Sequence, residues 1–218
     1  MSRRTAVIVG AGPGVSGSLA RLYADAGWNL ALFGSHPDAV GALADDLRER
    51  GAAVDHEIGD LADVADTDDK LRSLAERAEE VGLLHFNPSV FREADALELS
   101  VADLLADVAI GVGGLLTAVQ AVVGSMGPGA RVSATGSMAA DQPWHRAATL
   151  GVQKAGLRNL VLGLDTTLTP SGIRAVSVTV RGALGSEGAF TPDKVAAAIY
   201  AATWREDADW TPEVSYEG

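Results

Sequence analysis

Cysteine is absent from all 218 residues. That excludes a disulfide framework, a thiolate nucleophile and a cysteine-based zinc site, and no metal site is expected. Positive charge is in short supply too. A net charge of −12 sets the chain against nucleic acid and against anionic membranes as partners. The acid is spread along expected helix faces (Asp45, Asp46, Glu49, Asp68, Asp69, Glu79, Glu80) and needs no partner to explain it. The N-terminus reads Met-Ser-Arg-Arg and then a strand, without the apolar run of a leader, and no later segment has the look of a lipid-spanning helix. A soluble cytoplasmic protein is the expectation. What the chain does have is 47% hydrophobic residues, enough to give a single domain over residues 1–218 a full core.

The most informative stretch is 6–21, AVIVGAGPGVSGSLAR. The apolar run Ala6-Val7-Ile8-Val9 feeds into Gly10, Gly12 and Gly14, and an apolar-periodic helix begins near Val15. Glycines there let the backbone turn tightly and approach a pyrophosphate, while the first helical turn offers unpaired N–H groups and the positive end of its dipole. The position between a strand and a helix is the context that gives this otherwise common pattern its meaning.

Strand-like and helix-like runs alternate throughout. Strands are expected near 5–10, 28–34, 52–58, 82–87, 129–135, 173–180 and 209–214, and helices near 14–27, 37–51, 67–81, 100–126, 148–168 and 192–203. Asp38 and Thr191-Pro192 read as helix starts, and Gly27 as a stop. Strict alternation with right-handed crossovers predicts an α/β fold. It is a Rossmann-type, doubly wound, seven-stranded, mostly parallel sheet with helices on both faces, a three-layer α/β/α arrangement.

On these residues the chain resembles a short-chain dehydrogenase/reductase over nearly its whole length. The family's Thr-Gly-x-x-x-Gly-x-Gly reads Val9-Gly10-Ala11-Gly12-Pro13-Gly14-Val15-Ser16, with Ser16 in place of the third glycine. Asp60 falls where the family binds the adenine amino group. Phe86-Asn87-Pro88-Ser89 stands for Asn-Asn-Ala-Gly, with Asn87 kept. Thr135-Gly136-Ser137 matches the strand end carrying the active-site Ser, and Lys154 matches the catalytic Lys that holds the cofactor ribose. The run from Pro170 to Val178 is similar to the family's approach to strand six, and Arg181-Gly182-Ala183-Leu184-Gly185-Ser186 replaces Pro-Gly-x-x-x-Thr. The resemblance thereby implies cofactor binding by Gly10, Gly12, Gly14, Ser16, Asp60, Asn87, Lys154 and Ser186.

Two positions depart from the family. The tyrosine expected four residues before Lys154 and thirteen after Ser137 is Leu150, and alignment on Gly114 and Gln120 puts Gly111 where the family has an active-site Asn. Leucine cannot move a proton, and removing a positioned general acid forfeits about 10²–10⁴ in rate. The segment Asp141-Gln-Pro-Trp144-His145-Arg146 offers a substitute, His145 as the proton donor with Asp141 to orient it, against the plainer reading of a solvated loop. His85 reads as a hydrogen-bonded core residue. Gly34 stands where NAD-preferring members carry an acid. With Ser35 and His36 available to phosphate oxygens, the resemblance implies NADP(H) over NAD(H).

The expected activity is an atypical oxidoreductase acting on a small or polycyclic carbonyl. The alternatives are a non-redox cyclase, isomerase or dehydratase on the same scaffold, and a catalytically silent binding protein. The segment from Arg181 to Thr191 is short for a family lid and leaves the pocket open. The family also implies a homodimer or homotetramer built on the helices near 100–126 and 148–168. Gly151, Ala155, Gly156 and Gly163 either allow close contact there or pack on the sheet.

Overall fold

The computed structural model describes residues 4–218; Met1–Arg3, part of the N-terminal reading above, lie outside the described residues. The elements in order are β1 (Thr5–Val9), α1 (Val15–Asp25), β2 (Asn29–Gly34), α2 (Pro37–Glu49), β3 (Val54–Ile58), α3 (Val64–Arg77) and β4 (Val81–Phe86). There follow α4 (Val101–Val108), a π-helical turn (Ala109–Gly113), α5 (Gly114–Val122), β5 (Met126–Ser137), α6 (Ala148–Leu168), β6 (Arg174–Val180), α7 (Pro192–Thr203) and β7 (Glu213–Tyr216). The strands form one sheet in the order β3-β2-β1-β4-β5-β6-β7, and every neighbouring pair is parallel.

Parallel strands covered on both faces must be apolar on both faces, and β1 obeys this residue by residue. Val7 and Val9 face one cluster with Leu71, Leu115 and Leu157 from α3, α5 and α6. Ala6 and Ile8 face the other with Leu19, Leu43 and Ile199 from α1, α2 and α7. The expected architecture is therefore present, with the strand order reversing at the β1/β4 junction.

Several boundaries differ from expectation. The helix expected over 100–126 is broken by the π turn, and β5 takes over at Met126. The run Val101–Ser125 is in fact long and apolar enough to span a membrane by length and composition, against the reading above; Leu115, Ala118 and Val122 on it are fully buried against the sheet layer. Helix α3 starts earlier than expected because the Asp63 carboxylate caps it, accepting from the Asp66 N–H at 3.1 Å. Asp38 is not the cap of α2: His36 is, Pro37 takes the first helical position and Asp38 lies in the first turn. Thr191 does cap α7, accepting from the Lys194 N–H. Residues Asp207–Asp209 form a 3₁₀ turn and delay β7 to Glu213.

Candidate functional site

A parallel doubly wound sheet opens a crevice at the C-terminal ends of its strands where the order reverses. Two cavities lie there. One of about 400 Å³ is bounded by the β1–α1 loop, the end of β2, Asp60 and Pro88–Val90. The other, about 310 Å³, is bounded by Gly14, Asn87, Thr135, Ser137, Leu150 and Lys154, among others. Ser89 lines both.

The β1–α1 loop is held by its own backbone and by missing side chains. Gly10 has φ +81°, and a Cβ on it would fall 2.7 Å from Pro88 Cγ. The Gly10 and Ala11 N–H groups both donate to the Phe33 carbonyl at 2.9 Å. Ser16, buried, turns its hydroxyl inward and donates to the Gly10 carbonyl at 2.8 Å. It fastens the loop rather than facing the crevice, and does not line either cavity. The close contact that a glycine-rich loop needs has moved one residue on, since a Cβ on Gly17 would stand 2.5 Å from the Gly12 carbonyl oxygen. Gly12 and Gly14 by contrast have no atom within 4 Å of such a Cβ, and no side chain caps the first turn of α1. Open space under free N–H groups fits a pyrophosphate.

At the other end of the first cavity, the Ser35 hydroxyl and His36 Nδ1 lie 3.0 Å apart on an exposed rim. Asp60 lines the cavity while its Oδ1 accepts from the Ala62 N–H at 3.0 Å, fixing the turn that carries it.

In the second cavity, Lys154 is 4% exposed. Its Nζ donates to the Thr135 carbonyl at 2.8 Å. Burial lowers its amine from the ordinary 10.5 to about 8. Behind it, His85 is wholly buried, with Nδ1 2.8 Å from Ser133 Oγ and Nε2 3.3 Å from Thr135 Oγ1. Burial, and then the Lys154 charge, push this imidazole down to about 3, so it is the neutral core histidine expected. Thr135 thus supports both groups, its carbonyl serving the lysine and its hydroxyl the histidine. In the sequence Thr135 shows only as part of the Thr135-Gly136-Ser137 motif. Ser137 Oγ accepts from the Ala139 N–H at 3.2 Å and lies on the same cavity wall as Leu150.

The chain's three tyrosines are engaged elsewhere. Tyr23 is buried, accepts from Trp204 Nε1 at 2.9 Å and packs on Tyr200, and Tyr216 donates to the Ala189 carbonyl at 2.7 Å.

The structure does not bring His145 and Asp141 together. Asp141 is ion-paired with Arg158 at 2.6 Å and with Arg181 at 2.7 Å, and these guanidinium groups hold its carboxyl below the usual range. His145 lies in a separate depression beside Glu93 and Glu98 and meets the edge of Trp144. The plainer reading of that loop is the one the geometry carries. Ser186 is exposed in the segment after β6 and does not line the cavities, whereas Gly182 and Leu184 do. That segment is folded back on itself, with the Gly185 N–H donating to the Phe190 carbonyl at 3.1 Å. Gly151 and Gly156 are small for reasons inside the subunit: a Cβ would meet the Ala139 carbonyl at 3.1 Å and Val112 at 3.0 Å respectively. Among the described residues no cluster of His, Asp and Glu could hold a metal.

Known proteins share this framework. Sulfoacetaldehyde reductase 2 of Chromohalobacter salexigens is 27% identical over 176 residues, 79% of this chain and 69% of that protein. A short chain dehydrogenase of Burkholderia cenocepacia, solved in complex with NADP, superposes with a TM-score of 0.90 at 22% identity, over 99% of this chain and 96% of its own. A blue fluorescent protein from a metagenomic library, solved with NADPH, gives 0.89 at 20% identity, over 100% and 97%. The sequence profile for short chain dehydrogenases matches residues 4–186. That span takes in β1, the glycine loop, Ser137 and Lys154, and so the chain belongs to the short-chain dehydrogenase family of oxidoreductases.

Proposed function

We propose that this protein binds NADP(H) along the crevice and reduces a small or polycyclic carbonyl compound, or oxidises the corresponding alcohol, without the family's tyrosine. The observation that carries the reading is Leu150 on the wall of the second cavity with Ser137 and Lys154. The binding residues remain while the usual acid is hydrocarbon.

The residue roles follow from chemistry. The bare Gly12–Gly14 backbone and the first turn of α1 would take the pyrophosphate. Asp60 would accept from the adenine amino group, and Lys154 would hold the nicotinamide ribose. Preference for a 2′-phosphate is supported by Gly34, where a Cβ would lie 2.8 Å from both the Ala11 carbonyl oxygen and Val40 Cγ2. The acid that binds a 2′-hydroxyl has no room there, and Ser35 and His36 offer donors instead.

When bound, the nicotinamide supplies the hydride. Ser137 donates a hydrogen bond to the substrate oxygen and polarises the carbonyl. Lys154 is the ionisable side chain on that wall, and with its amine lowered to about 8 it can release a proton near neutral pH. Solvent admitted by the short segment after β6 would relay it to the alkoxide. The reductase among the relatives supports a carbonyl substrate.

A second reading, favoured by Leu150 specifically, is a non-redox reaction in which the same pocket folds and polarises a substrate while the nicotinamide is not consumed. NADPH emission on mixing, followed by NADPH absorbance with a panel of carbonyl compounds, distinguishes the two. Enhanced emission with consumption is expected, and enhancement without consumption favours the second reading. Leu150→Tyr should raise any reductase rate by about 10²-fold or more, the worth of a positioned general acid. No gain would mean that an equivalent acid is already in place.

A homodimer or homotetramer is part of the same proposal. The support is apolar exposure on and beside α4, with Val101 72% and Leu105 62% exposed.

A further inference from the structure

Gln153 is wholly buried and belongs to neither hydrophobic cluster. Its amide spends both ends on one residue. Oε1 accepts from the Val90 N–H at 2.9 Å, and Nε2 donates to the Val90 carbonyl at 3.0 Å. This is the pairing a neighbouring strand would offer, supplied by a side chain to the irregular segment that leaves β4.

The segment matters because it is shared. Pro88, Ser89 and Val90 line the first cavity, and Asn87 and Ser89 line the second. Lys154, the next residue of α6, ties the end of β5 through the Thr135 carbonyl. Two successive residues on one helix therefore fix both strand ends that flank the crevice.

Gly111 provides the room. A Cβ there would stand 2.9 Å from Gln153 Cγ and 3.0 Å from Gln153 Cβ, and would also run into Oε1. Gln153 cannot swing aside without dropping both bonds to Val90. The asparagine expected at position 111 and the glutamine at 153 are therefore mutually exclusive in this packing. Position 111 also lies in the π turn, a distortion that persists in helices mostly at functional places.

We infer that Gln153 and Gly111 are a compensating pair: Gln153 is a positioning residue that occupies the space of the missing asparagine and holds the Asn87–Val90 wall in the shape that admits the dinucleotide. The inference rests on reading the crevice as an NADP(H) site.

The test is NADPH fluorescence titration, well below the melting temperature, on wild type, Gln153→Met, Gly111→Asn and the double variant Gly111→Asn/Gln153→Ser. Gln153→Met keeps the volume and loses both bonds, so the Kd should rise about tenfold or more. Gly111→Asn should weaken binding further, and Gln153→Ser in the same chain should relieve that clash and return the Kd to about that of Gln153→Met, the bonds to Val90 staying lost. Wild-type affinity in Gln153→Met, or no relief in the double variant, overturns the inference. Should Gln153→Met not fold, Gln153→Glu decides. Its protonated carboxyl offers one donor and one acceptor like the amide, and its ionised form offers no donor. NADP⁺ affinity by calorimetry should then fall with rising pH in this variant more steeply than in wild type, and parallel profiles overturn the inference. Failure of wild type itself to bind NADPH or NADP⁺ would instead defeat the cofactor reading.

Discussion

Lys154 buries an amine with its Nζ donating to the Thr135 carbonyl, and that placement has a thermodynamic signature. Its folded-state pKa is depressed to about 8 from the model-peptide 10.5. Between those values the unfolded chain holds a proton that the folded chain has released, so stability rises with pH across that window. The full effect is about 3 kcal/mol at 1.36 kcal/mol per unit. Lys154→Met removes the titration and nearly keeps the volume. In urea unfolding of the ligand-free protein at pH 7.5, 8.5 and 9.5, wild type should gain on Lys154→Met as pH rises. Parallel stabilities would mean that the amine is hydrated in the fold. His85 works at the other end. With its pKa down to about 3, the unfolded state takes up a proton first as pH falls below about 6.5, and stability is lost from there downward. Lys154, Ser137 and Leu150 were legible in the sequence because motif register fixes them. The dual service of Thr135 was not, since it depends on which way two neighbouring strands turn their side chains.

The β1–loop–α1 unit shows how an element can be read correctly while one of its parts is misassigned. Its glycines and strand–helix context were plain in the sequence, but Ser16 was expected to meet the cofactor and instead bonds back to Gly10. Gly17, outside the motif as aligned, makes the tightest approach, to the Gly12 carbonyl. Backbone does not yield as a side-chain tip does. Gly17→Ala should therefore cost about 1–3 kcal/mol, as overpacking does, and weaken NADP(H) binding with it. Ser16→Ala should cost only about 1 kcal/mol, one net hydrogen bond. Denaturant titration of the two variants tests the ranking, and a Gly17→Ala as stable as wild type refutes it. The long helix expected over 100–126 failed for a related reason. Apolar periodicity does not register one extra residue per turn, and the π turn is stabilised by packing on Gln153 and on Gly156, which meets Val112, contacts remote in sequence.

At the scale of the molecule, the parallel sheet and its layers were readable because two-sided burial writes continuous apolar runs. What the outer surface does was not, because exposure becomes visible only in three dimensions. Val101, Leu105 and the fully outward Leu97 are exposed, and so are Phe91 and Trp144, whose rings stack 6.2 Å apart. If α4 joins copies of the chain, Val101→Glu with Leu105→Glu should convert a dimer or tetramer to a monomer by light scattering, with the fold unchanged by circular dichroism. A monomeric wild type would end the idea. The strand β7 adds a consequence of a different kind. Through its hydroxyl, Tyr216 grips Ala189 in the segment after β6, and a Cβ on Gly218 would strike Ala189 at 2.7 Å. Tyr216 and Gly218 thus tether the segment that carries Gly182 and Leu184 to the wall of the second cavity. Under the proposed function, Tyr216→Phe would leave the lining of the first cavity untouched while loosening that tether, so that selectivity among carbonyl compounds, rather than affinity for NADP(H), would be the first property to drift.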